Sequence, residues 1–109
     1  MAYHEFGIMQ TPPKKGKRYD KYEPNKYECI SVNDDYIENI IEKLCDIDFY
    51  WHTLDVAGKG LAYCGITLIP PTSMQGFISV IDDIPELHSL KELLLKALNE
   101  NKWLIHFGL

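Results

Sequence analysis

DFYWHTLDVAGKGLAYCGITLIPPTSMQGF, Asp48–Phe77, is the stretch on which the reading of the fold turns. Asp48 to Asp55 is rich in aromatic and β-forming side chains and reads as a strand, as does Leu61 to Ile69. The glycines of VAGKG between them mark a turn, so the pair is expected as a β-hairpin. Pro70 and Pro71 have no N–H to give to a ladder, which ends the pairing. Thr72 and Gln75 match the S/T-x-x-E/Q capping box and open a helix from Ser73 to about Ile81.

Downstream, Asp82, Asp83 and Pro85 interrupt that helix. A second runs from Glu86 to Asn99, with Leu87, Leu90, Leu93, Leu94, Ala97 and Leu98 on one stripe that needs a sheet to pack on. Asn101 can stop it, and KWLIHFGL reads as a last strand with Trp103, Ile105, Phe107 and Leu109 on one face. Upstream, residues 2 to 10 alternate, with His4, Phe6 and Ile8 on one side, and Tyr27 to Val32 makes another strand. Ile37, Ile40, Ile41 and Leu44 then recur at helical spacing behind Asn33 as a cap, with Asp34 and Asp35 in the first turn. The order β-β-α-β-β-α-α-β predicts a single α+β domain over residues 1–109, a sandwich in which one mixed or antiparallel sheet of about five strands is packed by two to three helices.

The segment TPPKKGKRYDKYEPN follows the first strand and reads as an exposed basic loop at about 11–26. Lys14, Lys15, Lys17, Arg18, Lys21 and Lys26 face only Asp20 and Glu23 there, a balance of +4. The total charge is −5, so the rest of the chain carries −9. Such a body repels phosphates, which disfavours nucleic acid over a broad face and suits a basic protein partner. Tyr19, Tyr22 and Tyr27 lie among the lysines, a composition able to hold single-stranded RNA, against the plainer reading of a solvated loop. No span for a membrane and no export signal is visible. Cys29, Cys45 and Cys64 form no CxxC, which fits a reducing cytoplasm.

No cofactor motif is present. AGKG lacks the spacing of a phosphate loop, and His4, His52, His88 and His106 show no paired metal-ligand spacing, although three of them lie on predicted strands and can converge. If the hairpin loop is Val56 to Gly60, His52 faces Cys64. A thiol–imidazole pair results, on a face whose other residues look like core. The opposite face carries Phe49, Trp51 and Tyr63, with Trp51 opposite Gly65, read either as an aromatic ring folded over a cross-strand glycine or as an exposed aromatic patch.

The leading expectation is a small protein-binding domain, most concretely a toxin-neutralising immunity-type protein. It would occlude a basic partner's active site with Phe49, Trp51, Tyr63, Asp34, Asp35 and Asp55. The alternatives are a small cysteine-dependent enzyme using Cys64 and His52, and a homo-oligomer, such as a homodimer, joined through the hairpin face.

Overall fold

Alternation along β1 (Tyr3–Met9) sends His4, Phe6 and Ile8 to one side, and along β6 (Trp103–Phe107) it sends Leu104 and His106 to the same side. In the computed structural model, which describes residues 2–109, these strands are antiparallel neighbours with Phe6 opposite His106. The other strands are β2 (Ile30–Asn33), β3 (Asp48–Trp51), β4 (Ala57–Lys59) and β5 (Ile66–Ile69). All six form one antiparallel sheet in the order β2-β1-β6-β5-β3-β4.

Three helices cover one face of the sheet: α1 (Asp34–Ile40), α2 (Pro71–Ile81) and α3 (His88–Asn99). Their apolar stripes meet Phe6, Ile8 and Leu104 in the main core, where Ile37, Phe77, Ile81, Leu90 and Leu94 have no exposed surface. Asn33 caps α1 as its sequence suggests, its side-chain oxygen accepting from the Asp35 N–H at 2.8 Å. The capping box at Thr72 does not form. Pro70 is the N-cap and makes no side-chain bond, and Pro71 opens α2 at a position where a missing N–H costs nothing.

The second face of the sheet carries its own buried cluster of Met9, Ile66, Leu68, Ile105 and Phe107. Each such side chain gains about 1.5–3 kcal/mol on leaving water, so this face also needs a cover. The segment between β1 and β2 supplies it. Tyr19, Tyr27 and Cys29 pack on the cluster, Tyr22 stands edge-on to Phe107, and the Tyr19 N–H donates to the His52 carbonyl at 2.7 Å. The expected free loop is a strap, with its lysines outward and its tyrosines against the sheet. Tyr19 and Tyr27 are half-buried there, while Tyr22 keeps 63% of its surface exposed.

The hairpin also differs from expectation. The chain turns earlier, over residues 52–56, and Ala57–Lys59 is itself an edge strand pairing Asp48 with Lys59 and Phe49 with Gly58. β5 then pairs with the other side of β3, Tyr50 opposite Leu68 and Trp51 opposite Thr67. The physical reason is the Trp51 ring: it lies on Gly58, where any Cβ would come within 2.4 Å of it, and its indole N–H donates to the Gly60 carbonyl at 2.9 Å. The ring-over-glycine device occurs, on Gly58 instead of Gly65.

Candidate functional site

One end of the sheet gathers most of the polar side chains that carry chemistry. On the helix-covered side, the inward parity of the first and last strands brings His4 and His106 together, with His4 Nδ1 2.8 Å from His106 Nε2. The Asp34 N–H donates to the Ala2 carbonyl at 3.0 Å, which brings the first residue of α1 to the sheet. The Asp34 Oδ1 then lies 2.8 Å from His4 Nε2. The Tyr63 hydroxyl donates to the same oxygen at 2.5 Å. At the far end, Thr67 Oγ1 is 3.1 Å from His106 Nδ1 and accepts from the Ala62 N–H at 2.8 Å.

A carboxylate only accepts, so one assignment of protons satisfies the whole chain: His4 donates from Nε2 to Asp34, His106 donates from Nε2 to His4, and Thr67 donates to His106. No buried side-chain nitrogen or oxygen is left unpartnered among the described residues. Burial, with His4 beside it, holds His106 well below the usual imidazole range. The hydrogen bonds from Tyr63 and then His4 hold the Asp34 carboxyl below its ordinary value, and the bond to Asp34 pushes the Tyr63 phenol up to about 12. His4, His106 and Thr67 are fully buried, so this network locks α1 and the residue 62–67 segment to the sheet.

The residues marked by sequence as partner-binding separate accordingly. Phe49 is 1% exposed and packs on Phe77, so it is core and not a surface anchor. Trp51 is half-buried as the lid of the β3–β4 hairpin, and Tyr63 is tied to Asp34. The expected aromatic patch is therefore absent, because helices cover the face it was placed on. Asp35 and Asp55 are exposed, and Asp34 is only partly so.

On the strap side of the same end, a hollow of about 410 Å³ is lined by Asp20, His52, Cys64, Ile66 and Phe107 among others. His52 does not face Cys64 across a ladder: its N–H donates to the Ile66 carbonyl, a register two residues from the expected one, and its backbone has φ 64°. Both residues nevertheless reach the hollow. His52 Nδ1 lies 3.1 Å from Asp20 Oδ1, and Arg18 Nε holds the other oxygen of that carboxylate at 2.6 Å. Sequence spacing carries no signal for Asp20, which the strap delivers from a distant part of the chain. The His4–His106 pair did leave one, since both sit on strand positions whose neighbours face the helices.

Among the described residues, no group of three or more histidine, cysteine, aspartate or glutamate side chains is placed to hold a metal ion, and no helix is long and apolar enough to cross a membrane. No family model, curated protein or solved structure matches the chain.

Proposed function

We propose that the protein is a binding module for a basic protein partner, in its most concrete form a toxin-neutralising protein of the immunity type that occludes the partner's active site. One observation supports this reading. From Asp34 to Lys59 the chain runs from the β2 edge across the helix-covered side to the β3–β4 edge, and along that path it carries seven carboxylates against two lysines. Asp35, Glu38, Glu42, Asp46, Asp48 and Asp55 are all exposed, and of these only Asp48 has a cationic partner among the described residues, Lys59 at 3.5 Å.

A surface of one sign attracts a partner of the other, raising the association rate in a salt-dependent way. The strap packs on the opposite face of the sheet, and among the described residues none of its lysines pairs with these carboxylates. Asp34 anchors one end of the path to the sheet through His4 and Tyr63, and Asp35 presents the free carboxylate beside it.

The test is capture from source-cell lysate at low and high salt by the wild-type chain and by Asp35→Asn/Asp46→Asn/Asp55→Asn, whose changes touch no packed side chain. The expected result is one stoichiometric basic protein, retained by the wild type, weakened by salt and lost from the variant. Equal retention by the variant, or retention of an acidic protein or nucleic acid instead, overturns the reading. Trp51→Ala is a poor probe of the surface, because that ring holds the edge hairpin.

A further inference from the structure

Three features of the hollow go beyond a binding surface. His52 holds a left-handed backbone, φ 64°, which a non-glycine residue adopts only when its surroundings impose it, and which tends to occur at functional positions. Two main-chain bonds impose it here, from the Tyr19 N–H to the His52 carbonyl and from the His52 N–H to the Ile66 carbonyl. The imidazole is then oriented by a carboxylate: Asp20 at Nδ1 places the ring proton there and leaves Nε2 as the basic nitrogen. Finally, Nε2 is directed at Gly65, where any Cβ would sit 2.9 Å away, so the bare glycine keeps space open in front of it. The next residue back is Cys64, with its side chain exposed at the same hollow.

We propose that Cys64, His52 and Asp20 form a nucleophilic thiol site that receives a small acyl group from an activated ester or thioester. The residue types fit the roles of nucleophile, general base and positioning carboxylate. The volume is within the lower range of small-molecule sites, and the floor is apolar, from Ile66 and Phe107. An acyl chain meets that floor while its carbonyl stays at the polar rim.

In the first step His52 Nε2 takes the thiol proton and the Cys64 sulfur bonds to the carbonyl carbon. The bond to the leaving group breaks, and the departing alcohol or thiol takes the proton back from His52, leaving a thioester on Cys64. In the second, His52 takes a proton from water, the hydroxide oxygen bonds to the same carbon, and the carbon–sulfur bond breaks. Cys64 recovers the proton and a carboxylic acid leaves. Cys64 and His52 are not hydrogen-bonded to each other in the structure, but the backbone next to Cys64 lies against the ring at Gly65, so turning of the exposed Cys64 side chain brings the thiol to Nε2 as the acyl donor enters, as is common where catalytic contacts tighten only in the complex.

The chain contains its own controls. Cys45 is exposed and lies outside the hollow, and Cys29 is half-buried, its thiol pushed up to about 12 by that burial and by Glu5. The test is acetylation of the full chain by p-nitrophenyl acetate, following nitrophenolate release and locating the acetyl group by peptide mass spectrometry between pH 5.5 and 9. The pH window spans about 3.5 units around the ordinary imidazole and thiol values. Cys64 is expected to acetylate at least about tenfold faster than Cys45 near neutral pH, consistent with a base-activated thiol. In His52→Asn, which tolerates the left-handed backbone, that ratio should fall to about one. In Asp20→Asn the pH midpoint for Cys64 should shift while that for Cys45 stays in place, which a merely structural role would not produce. Equal rates at Cys64 and Cys45 in the wild type, or a ratio unchanged in His52→Asn, overturn the proposal. Neither result bears on the acidic surface, which none of these residues forms.

Discussion

Thr67→Val removes one hydroxyl from the buried network and keeps the side chain's shape. Thr67 is fully buried, and its oxygen serves two groups, the Ala62 N–H at 2.8 Å and His106 Nδ1 at 3.1 Å. The substitution strands a donor and an acceptor, each costing about 1–3 kcal/mol when left unsatisfied in the interior. The added methyl returns about 1 kcal/mol through burial. The net loss is about 3 kcal/mol, against a total of about 5–15 kcal/mol for a domain of ordinary stability. At about 4–8 °C per kcal/mol, Tm should fall by roughly 10–25 °C. Urea unfolding at pH 7.5 measures it as a lower midpoint with an unchanged slope. Thr67→Ser keeps the hydroxyl, loses only a methyl, and should cost about 1 kcal/mol. If the valine variant unfolds within about 0.5 kcal/mol of wild type, or proves more stable than the serine variant, the hydroxyl does not join the two groups as described.

Two further outcomes follow from the same geometry. His106 is held well below the usual imidazole range, so the unfolded chain binds a proton near pH 6.5 that the folded chain refuses. Its contribution is therefore complete above about pH 6.5 and is lost below it, at up to about 1.4 kcal/mol per pH unit for one proton. Asp34, also depressed, adds a loss only below about pH 3.9. A urea midpoint that stays level from pH 7.5 to 5 would contradict the sealed environment of His106. Gly58→Val must displace the Trp51 ring from β4. In a Trp103→Phe background it should alter the emission of the remaining tryptophan and cost about 1–3 kcal/mol by overpacking, and unchanged emission would mean the ring does not lie on Gly58.

Much of the architecture was legible because parity and periodicity are local. The strand faces came out right even where the register did not: expected and observed β3–β5 pairings differ by two residues, and an even shift leaves every side chain on its own face. Tyr50 therefore lies toward the strap, and Phe49 and Trp51 toward the helices. What sequence alone left open was which face the helices would cover, and that decided Phe49 against a surface role. The glycines of AGKG read as a turn because glycine usually marks one. Here Gly58 is the bare strand position that a tryptophan ring requires, a tertiary demand that no local propensity records.

The site was less legible because its parts come from distant segments. Asp20 reaches His52 only through the strap, and the strap folds over the sheet because Phe107, Ile105 and Leu68 need a cover. The charge pattern worked in the other direction. It set the basic segment apart from the acidic body, and the fold lays that segment over the sheet face opposite the helices.

The most direct measurement is backbone amide shift mapping of the folded chain as the captured basic partner is titrated in. The perturbed amides are expected along Asp34 to Lys59, centred on Asp35, Asp46 and Asp55, with Lys14 to Tyr27 unaffected. Perturbation confined to the strap, with the acidic path unchanged, would contradict this expectation.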